Sequence, residues 1–267
     1  MTTMYQHVTV EIDDGIATVT MCRSHRRNSL SEDHLRELLS AFQAIARGGA
    51  RGVVLAAQGP VFSSGHDFND MVNRDLDAMK HLLELCGEFM QLIQRMPQPV
   101  IAQVEGLATA AGCQLVASCD LAVCGESARF QTPGAFGGWF CHTPGVAVVR
   151  AVGRKRALEM LLTGDPIDAR TASEWGLVNR VVPDADVAAE TRDLLERATR
   201  GSTYSKAEGK QAFYAQADLD TAGAYAYATE VMAATSQSAD GRETMRAFVE
   251  KRHPVFVGRE TVDRKRA

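Results

Sequence analysis

From Val8 to Val182, short β-type runs alternate with helical apolar periods; after about Ala185 only helical periods remain. Val8, Val10 and Ile12 alternate with polar residues, Asp13-Asp14-Gly15 supplies a tight turn, and Ala17, Val19 and Met21 resume the alternation, which predicts a β-hairpin. Ser31 is placed to cap a helix carrying Leu35, Leu38, Leu39, Phe42 and Ile45 on one face. Val53-Val54-Leu55 reads as a buried parallel strand, followed by a loop from Gln58 to about Arg74. A helix then carries Leu76, Met79, Leu82, Leu83, Cys86, Met90 and Ile93 and ends at Pro97. Val100 to Val104 is a strand, Ala110 to Ser118 a buried helix of small residues, and Leu121 to Cys124 a short strand. Arg154 to Leu162 is a helix stopped by Gly164, Asp168 caps a short helix closed by Gly176, and Leu177 to Val182 is a last strand before Pro183. Strand–helix alternation followed by a helical tail indicates an α/β fold with a helical C-terminal extension.

A chain of 267 residues can bury such a core without a disulfide or metal staple. The formal net charge of −4 argues against a sequence-independent grip on nucleic acid, so an anionic ligand would need local basic residues. The six cysteines form no CxxC pair and no zinc-site spacing, which suits reduced, mostly buried thiols. No apolar run approaches membrane-spanning length, and the N-terminal residues lack the look of a signal or transit peptide. The expectation is a soluble cytoplasmic protein.

Two segments can carry chemistry. Gly59 to Phe68 contains Ser64, Gly65, His66 and Asp67 between a predicted strand and a helix; its glycines allow backbone angles that turn amides toward a ligand. It also fits a plain strand-to-helix loop. Gly106 to Leu115 contains Ala111, Gly112 and Gln114 where a strand enters the buried helix. Free N–H groups at a helix start can stabilise a developing negative charge, and the same small residues also suit tight helix–sheet packing.

Taken together, FSSGHDF (Phe62–Phe68), VEGLATAAGCQLVASCDLAV (Val104–Val123), ARFQTPG (Ala128–Gly134), RAVGRKRALEMLLTG (Arg150–Gly164) and EWGLVNRVVP (Glu174–Pro183) resemble the enoyl-CoA hydratase/isomerase (crotonase) superfamily, over nearly the whole chain. The resemblance implies a crotonase-type spiral of ββα units over residues 1–200, holding an acyl-CoA site. It implies that 201–267 form a helical region for self-association as a homotrimer or a hexamer of trimers. The apolar residues after about Ser205, among them Phe213, Tyr225, Met232 and Phe248, agree with such packing. By motif position, the peptide N–H groups of His66 and Ala111 would form an oxyanion hole, and Ser64, Gly65, Asp67, Phe68 and Gly112 would surround the ligand, with Asp67 expected to fix the loop by hydrogen bonding rather than to act as a base. His25, Arg26 and Arg27 sit where relatives hold part of coenzyme A, and Lys251 would reach a nucleotide from a neighbouring subunit; both also fit solvated surface. Coenzyme A belongs to the substrate, and no metal, flavin or nicotinamide is implied.

Hydratases of this family use two glutamates, and both are absent. Gln114 occupies the first position and Gly134, after Pro133, the second. Gln114 can hydrogen-bond but cannot accept a proton, while Gly134 has no side chain and is free to hold a backbone angle glutamate cannot adopt. The pattern resembles the divergent enoyl-CoA hydratase domain-containing branch. In Trp139-Phe140-Cys141-His142-Thr143, His142 has the ordinary pKa range for proton transfer, and Cys141 could act as a nucleophile only with a lowered pKa. Three functions stay open: an enzyme acting through a stabilised enolate (by hydration, isomerisation, decarboxylation or hydrolysis), a non-catalytic acyl-CoA binder or regulatory paralogue, and a structural oligomer.

Overall fold

The computed structural model describes residues 5–258. The hairpin forms from β1 (Val8–Asp13) and β2 (Ile16–Met21), with Val10 opposite Val19. Asp14 and Gly15 take φ of 43° and 71°, the paired positive angles of a turn whose twist matches its strands. The Ser31 hydroxyl accepts the His34 N–H and starts α1 (Glu32–Arg47), a cap contributing about 1 kcal/mol.

Three strand pairs follow. β3 (Gly52–Ala57) and β4 (Val61–Ser63) lead to α2 (Phe68–Met71) and α3 (Leu76–Arg95). β5 (Val100–Val104) and β6 (Leu107–Thr109) lead to α4 (Ala111–Ser118). β7 (Leu121–Gly125) and β8 (Arg129–Gln131) lead to α5 (His142–Val152) and α6 (Arg154–Thr163). β9 (Ile167–Asp168), α7 (Ala169–Trp175), β10 (Arg180–Val182) and α8 (Val187–Thr199) complete the core. The first strand of each pair joins a six-stranded sheet, β1-β2-β3-β5-β7-β10, parallel from β2 onward. The second joins a four-stranded sheet, β4-β6-β8-β9. This is the spiral of ββα units expected from the resemblance.

The main core lies between the six-stranded sheet and α1, α3 and α4, where Phe42 and Phe89 meet edge to face at 5.1 Å. The opposite face is closed by α8: Val187 and Leu195 pack with Ile16, Val54, Ile101 and Val123. Gly52 permits this approach, since a Cβ there would lie 2.8 Å from side-chain atoms of Leu195 and Thr199.

The second sheet was not foreseen. Its strands are two or three residues long, too short to show alternation, and β4 lies within the stretch expected to be loop. The last strand is also shorter than expected. Leu177 and Val178 are buried as plugs, and Asn179 clamps Ala122 through its N–H and side-chain oxygen before pairing begins at Arg180.

The tail is α9 (Thr203–Ala217), α10 (Thr221–Ser236) and α11 (Ala239–Val249). A buried ionic node fastens α9 to the core: Lys210 Nζ pairs with Asp120 at 2.6 Å and donates to the Ile93 and Gln98 carbonyls. Tyr214 donates to the other Asp120 oxygen at 2.9 Å. α10 buries none of its residues, and Tyr225 and Met232 stand 75% and 78% exposed. Of the region expected at 201–267, residues 259–267 lie outside the described residues.

Candidate active site

The loop from β4 to α2 is held against the residues before α1. The Leu30 N–H donates to the Gly65 carbonyl at 2.8 Å, and the Asp67 N–H donates to the Leu30 carbonyl at 3.3 Å. In such a bridge successive peptide groups face opposite ways, so the His66 N–H between them turns away from Leu30. The second amide comes from the start of α4. Ala110 takes φ 52°, ψ −119° and donates its N–H to the Gln131 carbonyl, so Ala111 becomes the first helical residue. Among the described residues neither the His66 nor the Ala111 N–H has an acceptor within the protein. Both residues line one cavity of ≈ 400 Å³.

The loops touch through glycine. A Cβ on Gly65, whose φ is 83°, would lie 2.9 Å from the Ala110 Cβ and 3.1 Å from the Ala111 nitrogen. A Cβ on Gly112 would collide with the Ser63 carbonyl oxygen. These two glycines, expected among the ligand contacts, lie outside the cavity lining and instead set the spacing of the amide-bearing segments. Asp67 fastens the loop by hydrogen bonding, as expected, but is not brought to the cavity as a ligand contact. Its carboxylate accepts from Ser29 Oγ at 3.0 Å, from Arg23 at 3.3 Å and from the Asn69 N–H at 3.1 Å, and it is absent from the lining. Burial opposes its charged form, but the Ser29, Asn69 and Arg23 partners prevail and hold its pKa below the ordinary value. Arg23 also donates to the Ser29 carbonyl and the Ser31 hydroxyl, both at 2.8 Å. Its role was missed because nothing in sequence distinguishes it from the exposed basic residues His25, Arg26 and Arg27.

His66 offers its ring as well as its amide. Nδ1 lies 3.3 Å from the Leu30 carbonyl, a contact it makes as donor, and Nε2 is buried without a partner. Burial pushes its pKa down against the opposing Leu30 bond, so the neutral ring is favoured. His142 is exposed at the start of α5, its ring 5.0 Å from that of Phe140, and it lines the cavity. Cys141 lines it too, but burial raises its thiol pKa, opposite to what a nucleophile needs.

The two positions of the missing glutamates differ from expectation. Gln114 is buried in α4 with its Oε1 unpartnered, and it is not part of the cavity lining. Gly134 lines the cavity, but its φ is not positive, so the backbone angle supposed for it is not the constraint. The constraint is space. A Cβ there would run into the Trp139 carbonyl oxygen and lie 2.8 Å from both the nitrogen and Sγ of Cys141. The loop closes over Gly134, with the Trp139 N–H donating to its carbonyl at 2.8 Å.

Ser64 and Phe68 line the cavity. The basic turn adjoins it through the Ser64 N–H, which donates to the Arg27 carbonyl at 3.0 Å; His25, Arg26 and Arg27 themselves are exposed. Lys251 is exposed beyond α11 and is not brought to the cavity within one chain. Phe136 lines it as well, and so does Leu83, which the sequence placed only on the helix that became α3. Among the described residues no group of three or more His, Cys, Asp or Glu could hold a metal ion, and no helix is long and apolar enough to cross a membrane.

Comparison with known proteins agrees with this architecture. The family model described as enoyl-CoA hydratase/isomerase matches residues 11–259. Mouse enoyl-CoA hydratase domain-containing protein 3, mitochondrial, is 42% identical over 245 residues, covering 91% of this chain and 82% of its own. The solved structure of an enoyl-CoA hydratase from Mycobacterium smegmatis superposes with a TM-score of 0.91 at 42% identity, covering 94% of this chain and 98% of the other. That of human enoyl-CoA hydratase domain-containing protein 3 gives 0.90 at 41% identity, covering 94% and 100%. The cytoplasmic expectation is overturned here, because the mouse relative is by name a mitochondrial protein. Motifs, spiral and comparisons converge: this chain belongs to the enoyl-CoA hydratase/isomerase family.

Proposed function

We propose that the chain binds acyl-CoA thioesters with the thioester oxygen between the His66 and Ala111 N–H groups, and acts on them through an enolate-like oxyanion. One observation carries this reading: two peptide N–H groups without internal acceptors belong to residues lining the same cavity. Such donors favour an oxyanion over a neutral carbonyl, and losing one typically raises the barrier by about 2.7–4 kcal/mol. The exposed turn at His25, Arg26 and Arg27 is the basic feature beside the cavity suited to coenzyme-A phosphates. Lys251 would contribute only across a subunit contact. The exposed apolar side chains of Phe213, Tyr225, Met232 and Phe248 support a homotrimer or hexamer. A stable monomer in sedimentation at micromolar concentration would contradict that assembly.

A second reading, a non-catalytic acyl-CoA binder or regulatory paralogue, is favoured by a specific observation: no carboxylate is among the residues lining the cavity. Mass-spectrometric turnover against a panel of acyl- and enoyl-CoAs, paired with calorimetric binding, separates the two. Turnover of any member supports the enzyme, and tight binding throughout without turnover supports the binder. Absence of binding to every thioester overturns both.

A further inference from the structure

The cavity has an unusual mouth. Phe68 comes from the start of α2, and Phe136 and Trp139 from the loop after β8; they stand 71%, 88% and 46% exposed. Large apolar side chains from separate segments, held in solvent beside a cavity, mark a surface that a ligand covers. Leu83 and Pro144 continue the apolar wall inward. No Lys, Arg, Asp or Glu is among the lining residues.

Besides the His66 and Ala111 amides, assigned to the thioester oxygen, the start of α5 brings helix-terminal backbone to the cavity. Three of its first four N–H positions are engaged or missing. The His142 N–H donates to the Phe140 carbonyl at 2.8 Å, the Gly145 N–H donates to the Cys141 carbonyl at 3.0 Å, and Pro144 has no N–H. The exposed His142 ring is the remaining group able to carry positive charge beside His66, whose ring is held neutral by burial.

We propose that the site selects acyl-CoA thioesters whose acyl group is neutral and apolar and rejects those ending in a carboxylate, with Phe68, Phe136 and Trp139 as the specificity-determining side chains. This rests on the reading of the cavity as an acyl-CoA site and names the acyl class it takes. A terminal carboxylate would leave water with no Lys or Arg in the lining to receive it, whereas added methylenes would cover the exposed rings.

The test is calorimetric titration of the full-length protein with free CoA and with saturated thioesters, which cannot be hydrated. Octanoyl-CoA is expected to bind at least about 10-fold tighter than butyryl-CoA, the yield of burying two of its four additional methylenes. Hexanoyl-CoA is expected to bind at least about 10-fold tighter than adipyl-CoA, which has the same chain length with a terminal carboxylate. Phe68→Ser combined with Phe136→Ser should bring the octanoyl-to-butyryl ratio near 1; both side chains are exposed, so folding, checked by circular dichroism, should survive. Equal binding of hexanoyl- and adipyl-CoA, or an octanoyl preference that is absent or survives the double substitution, overturns this inference while the acyl-CoA reading stands. So does preferred adipyl-CoA binding that disappears in His142→Gln. Thioesters that bind no better than free CoA would instead overturn the acyl-CoA reading itself.

Discussion

Gly65→Ala puts one methyl group between the two amide-bearing segments. Two independent effects add at this position. With φ at 83°, an L side chain is strained by about 1–2 kcal/mol. The new Cβ would also lie 2.9 Å from the Ala110 Cβ, 3.1 Å from the Ala111 nitrogen and 3.1 Å from the Thr109 carbonyl oxygen. Two of those neighbours are backbone, so the contact cannot be relieved by a rotamer change, and overpacking of this kind costs about 1–3 kcal/mol. The total, about 2–5 kcal/mol, corresponds to a melting temperature lower by roughly 4–20 °C for a chain of this size. Moving the Ala111 amide away from His66 should also weaken acyl-CoA binding. Gly87→Ala is the internal control: Gly87 lies within α3 with nothing within 4 Å of a built Cβ. That variant should be stabilised by about 0.5–1 kcal/mol. The assay is differential scanning calorimetry of both variants, with acyl-CoA titration. A Gly65→Ala protein that melts within about 1 °C of wild type and binds acyl-CoA equally well would refute the geometry, since even the smallest sum above predicts more.

Crotonyl-CoA hydration should be weak or absent in wild type, because general acid–base groups each contribute about 10²–10⁴-fold and both glutamate positions lack one. Adding Gly134→Glu to Gln114→Glu should lower stability by about 1–3 kcal/mol without restoring hydration, and efficient hydration by either protein in a spectrophotometric assay would contradict this. Lys210→Met leaves the buried Asp120 without its cation, with Tyr214 still donating to it, and should cost about 3–5 kcal/mol in urea unfolding. His34 is buried, and burial pushes its pKa down to about 4 from the ordinary 6.5, so its neutral form is native-like. Stability it contributes is complete above the ordinary pKa and is lost as pH falls through the window from 6.5 to 4, by about 3 kcal/mol. Denaturant titrations across that range should show a shallower pH slope for His34→Gln than for wild type.

Local chemistry was legible in the sequence wherever one residue type has one physical job. Asp14-Gly15 could hardly be other than a hairpin turn, Ser31 and Asp168 cap their helices as read, and Gly164 and Gly176 close theirs in the left-handed conformation. Long periodic elements such as α1 and α3 were equally clear, because sixteen or twenty residues give periodicity room to show. The family was legible too, through motifs that put glycines where backbone must approach backbone.

What only the tertiary structure decided depends on distances between segments far apart in the chain. Strands of two or three residues exist because neighbouring strands accept them, so the second sheet had no local signature. Arg23 and Asp67 are 44 positions apart, and only the fold shows that Arg23 is one of the partners through which Asp67 fastens the loop. Gly134 reads in sequence as a lost glutamate; only the fold shows that the Trp139 carbonyl occupies the place where any side chain would begin. A sequence names the residue at each position, but whether space remains beside it is decided by backbone that arrives from elsewhere.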